Sequence, residues 1–231
     1  MTRVAGWLRR ALLALLAFAL LYLLWLFGWV LFWGWFNPDS TRFMELRLAE
    51  LRATQPNATL KKQWLPYDRI SVHLKRALIA SEDAKFVHHE GFDWEGIQKA
   101  MEKNEKKGRA VAGGSTISQQ LAKNLFLTPT RSLARKGEEA VITVMIETLW
   151  SKRRIFEVYL NVIEWGSGVF GAEAAARHYY GIGAGQLAPE QAARLAAMVP
   201  SPRFYDRNRG APGLARKAGI ILARMPSAVV P

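Results

Sequence analysis

No cysteine occurs in the 231 residues. That excludes a disulfide framework, a thiolate metal site and a thiol nucleophile. Acidic residues are few: 19 Asp and Glu stand against 32 Lys and Arg, a formal charge of +13. Such a surplus favours an anionic partner, whether nucleic acid, an acidic membrane face or a phosphorylated substrate, and composition alone does not choose among them. Strand-like alternation is scarce and there is no internal repeat, which argues against sheet-based and solenoid architectures. The four histidines (His73, His88, His89 and His178) lack metal-ligand spacing, so no zinc is expected.

What is present begins with an apolar run. No charged residue interrupts Ala11 to Phe36. As a helix rising about 1.5 Å per residue, it exceeds a hydrocarbon core of roughly 30 Å. Trp25, Trp29, Trp33 and Trp35 crowd its far half, as an aromatic belt would. A cleaved signal peptide would have a shorter apolar region and a small-residue cleavage site. The run ends instead in Trp35-Phe36-Asn37-Pro38, so an uncleaved anchor is expected. Arg3, Arg9 and Arg10 precede it and Arg42, Arg47 and Arg52 follow, which leaves the orientation nearly balanced. Arg9 and Arg10 abut the run and favour a cytoplasmic N-terminus.

Beyond the anchor the chain reads as mostly α-helical. Asp39 or Ser40 can cap a helix carrying Met44, Leu48 and Leu51 at helical spacing. Further helices are expected over 70–86, 115–126, 133–150, 155–162, 172–180, 189–198 and about 214–224. Lys103 to Gly114 is basic and glycine-bearing and reads as a mobile loop, of which Lys103 to Ala112 is expected to close over a bound ligand. The tail from Pro200 reads as irregular before its last helix.

Four segments could carry chemistry, and each has a plainer reading. In Ser81 to Gly91, a helix continuing past Glu82 puts positions 82, 86 and 89 on one face, where an acid beside an aromatic becomes a usable base. The plainer reading is a helix end terminated by Gly91. Gly113-Gly114-Ser115-Thr116 before a helix makes an anion site from free N–H groups and the helix dipole, or an ordinary capped helix. It is not a nucleotide-binding P-loop, because the Gly-Lys-Ser/Thr spacing is absent. Arg135 and Glu139 lie four apart and could be a surface pair worth only tenths of a kcal/mol. Lys152-Arg153-Arg154 before a helix could bind phosphate or form a solvated face.

Together these segments resemble the motifs of glycosyltransferase family 51, the peptidoglycan glycosyltransferases, in order and in spacing. Glu82, Asp83, Phe86, His89 and Gly91 match its first motif, and Gly113 to Lys123 match the Gly-Gly-Ser-Thr-Ile-x-Gln-Gln-x-x-Lys motif. Arg135, Lys136 and Glu139 match the third. Lys152, Ile155, Glu157, Tyr159 and Asn161 match the fourth, and Gly171 to Gly181 resembles the fifth. The likeness runs from about Trp64 to Arg203. Its one small departure is His178-Tyr179-Tyr180, where the family often has Tyr-Phe.

The resemblance implies a lysozyme-like helical lobe with a smaller membrane-associated lobe, preceded by one transmembrane helix. The corresponding layout is 1–10 cytoplasmic, 11–36 transmembrane, 37–63 linker and juxtamembrane helix, and 64–231 catalytic. No Ser-x-x-Lys occurs, so a monofunctional enzyme without a transpeptidase is expected. The implied activity is polymerisation of lipid II into β-1,4-linked glycan by inverting displacement, on the outer face of the cytoplasmic membrane. The implied partners are lipid II, the growing lipid-linked glycan, the membrane, and cell-division and penicillin-binding proteins, with no nucleic acid. Glu82 is the implied base and Glu139 a second essential acid that orients a cation, assists at the diphosphate or binds a divalent ion such as Mg or Mn. Lys123, Arg135 and Lys152 are the implied diphosphate clamp, and Ser115, Thr116, Gln120 and Asn161 position sugar or phosphate. Asp83, Phe86, His89, Lys136 and Glu157 complete the expected substrate-binding set. Two rivals remain at this level, a lysozyme-like lytic transglycosylase and a membrane-tethered scaffold without enzymatic activity.

Overall fold

The computed structural model describes residues 2–109, 113–130 and 132–231. It divides into two compact units, 1–37 and 38–231.

The first unit is one helix, α1 (Thr2–Trp35). Within it Gly6–Trp35 has a mean hydropathy of 2.5, and only 6% of its most apolar window is buried. Thirty such residues make about 45 Å of helix, enough to cross a bilayer with tilt. Aromatic side chains spaced three and four apart meet along its far half. Trp29 and Trp33 have ring centroids 5.1 Å apart, and Phe32 and Phe36 stack at 4.5 Å.

The second unit is a helical assembly with one small sheet. It opens with α2 (Arg42–Arg52), capped by Thr41, whose hydroxyl accepts from Met44 N at 3.2 Å. The cap is therefore Thr41, not Asp39 or Ser40, because only its side chain reaches a free helix donor. Helix α3 (Val72–Glu82) buries Leu74, Ala77, Leu78 and Ile79. It packs on two later helices, α9 (Pro189–Met198) and α11 (Pro212–Arg224). Four of the ten residues of α9 are buried alanines (Ala192, Ala193, Ala196 and Ala197), so neighbouring backbones can approach closely. Helix α5 (Ile117–Phe126) lies against α6 (Leu133–Leu149) and α7 (Lys152–Val162). Helix α7 is buried along most of its length, from Ile155 through Val162, with Glu157 the partly exposed exception.

Helices 172–180 and 189–198 occur with the bounds expected from sequence, as α8 (Ala172–Tyr180) and α9. Other expectations are corrected. The helix expected over 70–86 stops at Glu82, because the Asp83 carboxylate turns to accept from Ile117 N and from His89. Residues 103–107 belong to a helix, α4 (Trp94–Lys107), capped by Asp93 and ended by Gly108 in the left-handed region at φ +60°. Its charge reflects a solvated face, not a loop. The remainder of the closing loop, 110–112, lies outside the described residues. The tail contains α10 (Pro202–Arg207) before α11, each with proline in its first turn, where the missing N–H costs nothing.

Three short strands that periodicity could not reveal form a sheet of order β1-β3-β2. Strand β1 (Lys61–Lys62) pairs in parallel with β3 (Val169–Phe170). Strand β2 (Glu164–Gly166) pairs with β3 in antiparallel fashion through an irregular register. Gly171 follows at φ +81°, where a Cβ would stand 2.6 Å from the Asn161 carbonyl oxygen. The turn from β3 into α8 therefore requires glycine at that position.

Candidate active site

Glu82 is the last residue of α3, and its carboxylate is held from two elements. Its Oε2 accepts from Gln120 Nε2 of α5 at 3.0 Å, and Ser81 Oγ lies 3.4 Å from Oε1. Gln120 is itself oriented, since its Oε1 accepts from the Tyr159 hydroxyl of α7 at 3.0 Å. Tyr159 is fully buried, and burial pushes its phenol well above the usual value, so it remains a donor. The Gln120 amide must then present oxygen to Tyr159 and nitrogen to Glu82. Burial also raises the Glu82 carboxyl above the ordinary carboxylate range. The Gln120 hydrogen bond, Lys217, Ser81 and Lys123 offset part of that rise, in that order.

The rest of the first motif supports this carboxylate. Buried Asp83 accepts from Ile117 N at 2.9 Å and faces His89 Nε2 at 3.0 Å. His89 Nδ1 accepts from Gly91 N at 3.1 Å, which assigns the proton to Nε2. Gly91 sits at φ +90°, with Thr143 and Glu147 where a Cβ would go. Its carbonyl accepts from Thr116 Oγ1 at 2.7 Å. Thr116 and Gln119 form a reciprocal capping box at the start of α5. Phe86 is fully buried, 5.5 Å from Phe156 between ring centroids.

A second acid lies on α6. Glu139 is buried and accepts from Arg135 Nη1 at 2.6 Å and from Lys136 Nζ. Lys136 Nζ also lies 3.3 Å from Ser115 Oγ. Lys123 is connected electrostatically to both acids. Burial lowers its pKa most, Arg135 and Lys136 lower it further, and Glu139 and Glu82 act in the opposite sense.

A cavity of about 640 Å³ is lined by Gln120, Lys123, Asn124 and Arg135, together with residues of α2, β2 and the segment from Val199 to Arg207. Glu82 reaches it through Gln120, and Glu139 through Arg135. The structure thus brings Glu82, Gln120, Lys123, Arg135, Lys136, Ser115 and Glu139 into one connected cluster. Lys152 is placed differently. Its Nζ pairs with Glu147 at 2.8 Å and lies 4.7 Å above the Phe86 ring, off the cavity lining. Asn161 bonds both backbone groups of Leu65, at 2.8 and 3.0 Å, and Glu157 accepts from Tyr67 N at 3.0 Å. Both therefore tie α7 to the segment before α3.

Sequence reasoning did not single out Tyr159 as a site residue, although it stands inside the fourth motif. It also missed Arg47, Glu164, Arg203 and Lys217. Glu164 lies three residues past that motif, which is the only signal that could have drawn attention to it.

A divalent ion at Glu139 would meet a carboxylate whose two oxygens already accept from Arg135 and Lys136. Among the described residues no group of three or more His, Asp or Glu side chains converges as ion ligands. The acceptors of Glu139 are engaged by side-chain cations.

A largely shielded carboxylate joined through Gln120 to a cationic cavity in a helical domain suits glycosyl transfer. The family profile described as Transglycosylase matches residues 49–226, and the chain belongs to that family. Among its relatives is a biosynthetic peptidoglycan transglycosylase of Dechloromonas aromatica (strain RCB), 75% identical over 225 residues that cover 97% of each chain. Proteins of the same name from Azoarcus sp. (strain BH72) and Laribacter hongkongensis (strain HLHK9) are 64% and 61% identical over 97% of this chain, and over 97% and 99% of their own.

Proposed function

We propose that this chain is a peptidoglycan glycosyltransferase that polymerises lipid II into β-1,4-linked strands and releases polyprenyl diphosphate. The observation that carries the reading is a proton acceptor, Glu82, hydrogen-bonded to Gln120, which lines one cavity together with the cations Lys123 and Arg135. Inversion by single displacement needs both ends of such a site. Glu82 takes the proton from the acceptor 4-hydroxyl as that oxygen bonds to the donor anomeric carbon. The bond to the diphosphate breaks, and its electron pair leaves with the phosphate oxygen. Lys123 and Arg135 stabilise that charge. Gln120 keeps the Glu82 carboxylate aimed, and the raised pKa makes Glu82 a stronger proton acceptor than an exposed glutamate. Glu139 holds Arg135 and Lys136 in place, which makes it a positioning residue.

Helix α1 anchors the enzyme in the cytoplasmic membrane with its N-terminus inside and the catalytic unit outside. Confinement to the bilayer that holds the substrate raises the effective concentration.

Purified protein supplied with lipid II should yield glycan strands. Cleavage of preformed strands without synthesis would favour a lysozyme-like hydrolase, and neither activity would leave a scaffold. Orientation is tested by Ser227→Cys, which adds the only thiol of the chain on an exposed residue. A membrane-impermeant maleimide should label it in spheroplasts without lysis.

A further inference from the structure

The cavity has a second wall, built by residues outside all the matched motifs. Arg47 of α2, Glu164 of β2 and Arg203 of α10 line it along with Lys123 and Arg135. The wall is a run of alternating charges. Glu164 Oε2 lies 3.3 Å from Arg47 Nε, Arg47 Nη1 lies 2.7 Å from Glu50, and Arg203 Nη1 lies 3.2 Å from the same Glu50. The Arg47 guanidinium also rests 4.7 Å over the Phe43 ring.

Two atoms of this run are incompletely satisfied. Among the described residues Glu164 Oε1 has no hydrogen-bond partner, and Arg47 Nε lies 3.3 Å from Glu164 Oε2 without the alignment of a hydrogen bond. Both are buried, and the Glu164 side chain is only 6% exposed. Burial raises the Glu164 carboxyl, while Arg47 and then Arg203 hold it down. Buried polar atoms are rarely left without partners in a folded protein, and an exception on a cavity wall calls for a partner from a ligand, an ion or a water. The unmet needs are a donor for Glu164 Oε1 and a well-aligned acceptor for Arg47 Nε, on two residues that line the cavity. The carboxylate end of a glutamate turns about a soft torsion, so either oxygen can be presented to the cavity.

A diphosphate offers acceptors only and is repelled by a carboxylate. A neutral sugar offers both functions, through hydroxyls and through the N–H and carbonyl of an acetamido group. Resting on the reading of this cavity as the polymerisation site, we propose that Arg47 and Glu164 form a glycan-recognition pair. Glu164 accepts from a sugar hydroxyl or acetamido N–H, and Arg47 donates to an acetamido or lactyl oxygen. The cavity is then divided by chemistry: Lys123 and Arg135 take the diphosphate, while Arg47 and Glu164 take the sugar attached to it. Substrate orientation follows from that division. It also makes α2, the helix next after the apolar segment in sequence, part of the site.

The test compares wild type with Glu164→Gln and Arg47→Lys in the full-length chain, using lipid II as substrate and polyprenyl diphosphate, which carries no sugar, as inhibitor. Each substitution should raise KM for lipid II at least tenfold, change kcat less than threefold and leave the inhibition constant of polyprenyl diphosphate unchanged. An unaltered KM in both variants overturns the proposal. So does a parallel rise in KM and the inhibition constant, which would place the pair at the diphosphate or in the folded framework alone. Two variants are used so that failure of one to fold leaves the other informative. A wild-type protein that makes no glycan under the same conditions would contradict the assigned reaction itself, a result separate from any behaviour of the pair.

Discussion

Replacing Glu82 with Gln should separate activity from stability, and the structure gives the sign of both effects. Gln keeps the shape of the side chain and an oxygen able to accept from Gln120 Nε2, so the contact seen at 3.0 Å can persist. What disappears is the charge and with it the proton acceptor. Loss of a general base lowers the rate by about 10²–10⁴-fold. Stability should move the other way. Burial raises the Glu82 carboxyl, so the folded chain holds its proton to higher pH than the unfolded chain does. As pH rises from the unfolded value through the folded one, stability is lost, and the full cost persists above it. Each pKa unit of difference corresponds to about 1.4 kcal/mol. In a domain of this size, 1 kcal/mol moves the melting temperature by about 2–4 °C. The variant should therefore melt above wild type at pH 8, and the gap should narrow towards pH 4. Calorimetry at the two pH values, beside polymerisation of lipid II, makes the measurement. A variant that melts lower at pH 8, or that keeps more than a tenth of wild-type activity, would refute the assignment of Glu82 as a buried base.

Other outcomes follow from the same contacts. Glu139→Gln should also abolish activity but lower stability, because it removes the buried anion that pairs with Arg135 and Lys136; calorimetry would show the opposite sign to Glu82→Gln. The rate should be bell-shaped in pH. Its acid limb should lie above the ordinary glutamate value of about 4.3 and its alkaline limb below the ordinary lysine value of about 10.4, since burial raises Glu82 and lowers Lys123; kcat/KM measured across pH locates both. Tyr159→Phe should release the Gln120 amide and lower kcat severalfold with little change in KM, as steady-state kinetics would reveal. Asn161→Ala should lower the melting temperature by unpinning Leu65, while the specific activity of the folded fraction stays within about twofold.

Much of this was legible in the residues alone. The bounds of α8 and α9 follow from glycine and proline at their ends, and the apolar stretch of α1 from its lack of charge. The grouping of Glu82, Gln120, Lys123 and Arg135 was implied by the family resemblance of the motifs, which also included Lys152; α3, α5 and α6 supply the four from separate helices. Helix α4 was hidden because its solvated face outweighs its apolar one in a charge-based reading. The stop at Glu82 was hidden because the donor that turns Asp83 out of the helix is Ile117 N, 34 residues onward.

By itself the chain determined its helical character, its apolar segment and which residue types could take a proton or bind a diphosphate. These depend on local periodicity and on the chemistry of single side chains. Tertiary structure alone decided that Tyr159 fixes the amide of Gln120, that Lys152 pairs with Glu147 off the cavity lining, and that Arg47 and Glu164 share a wall with Lys123. Those facts depend on contacts between distant segments and on burial, and burial is a property of the packed molecule that no single segment carries.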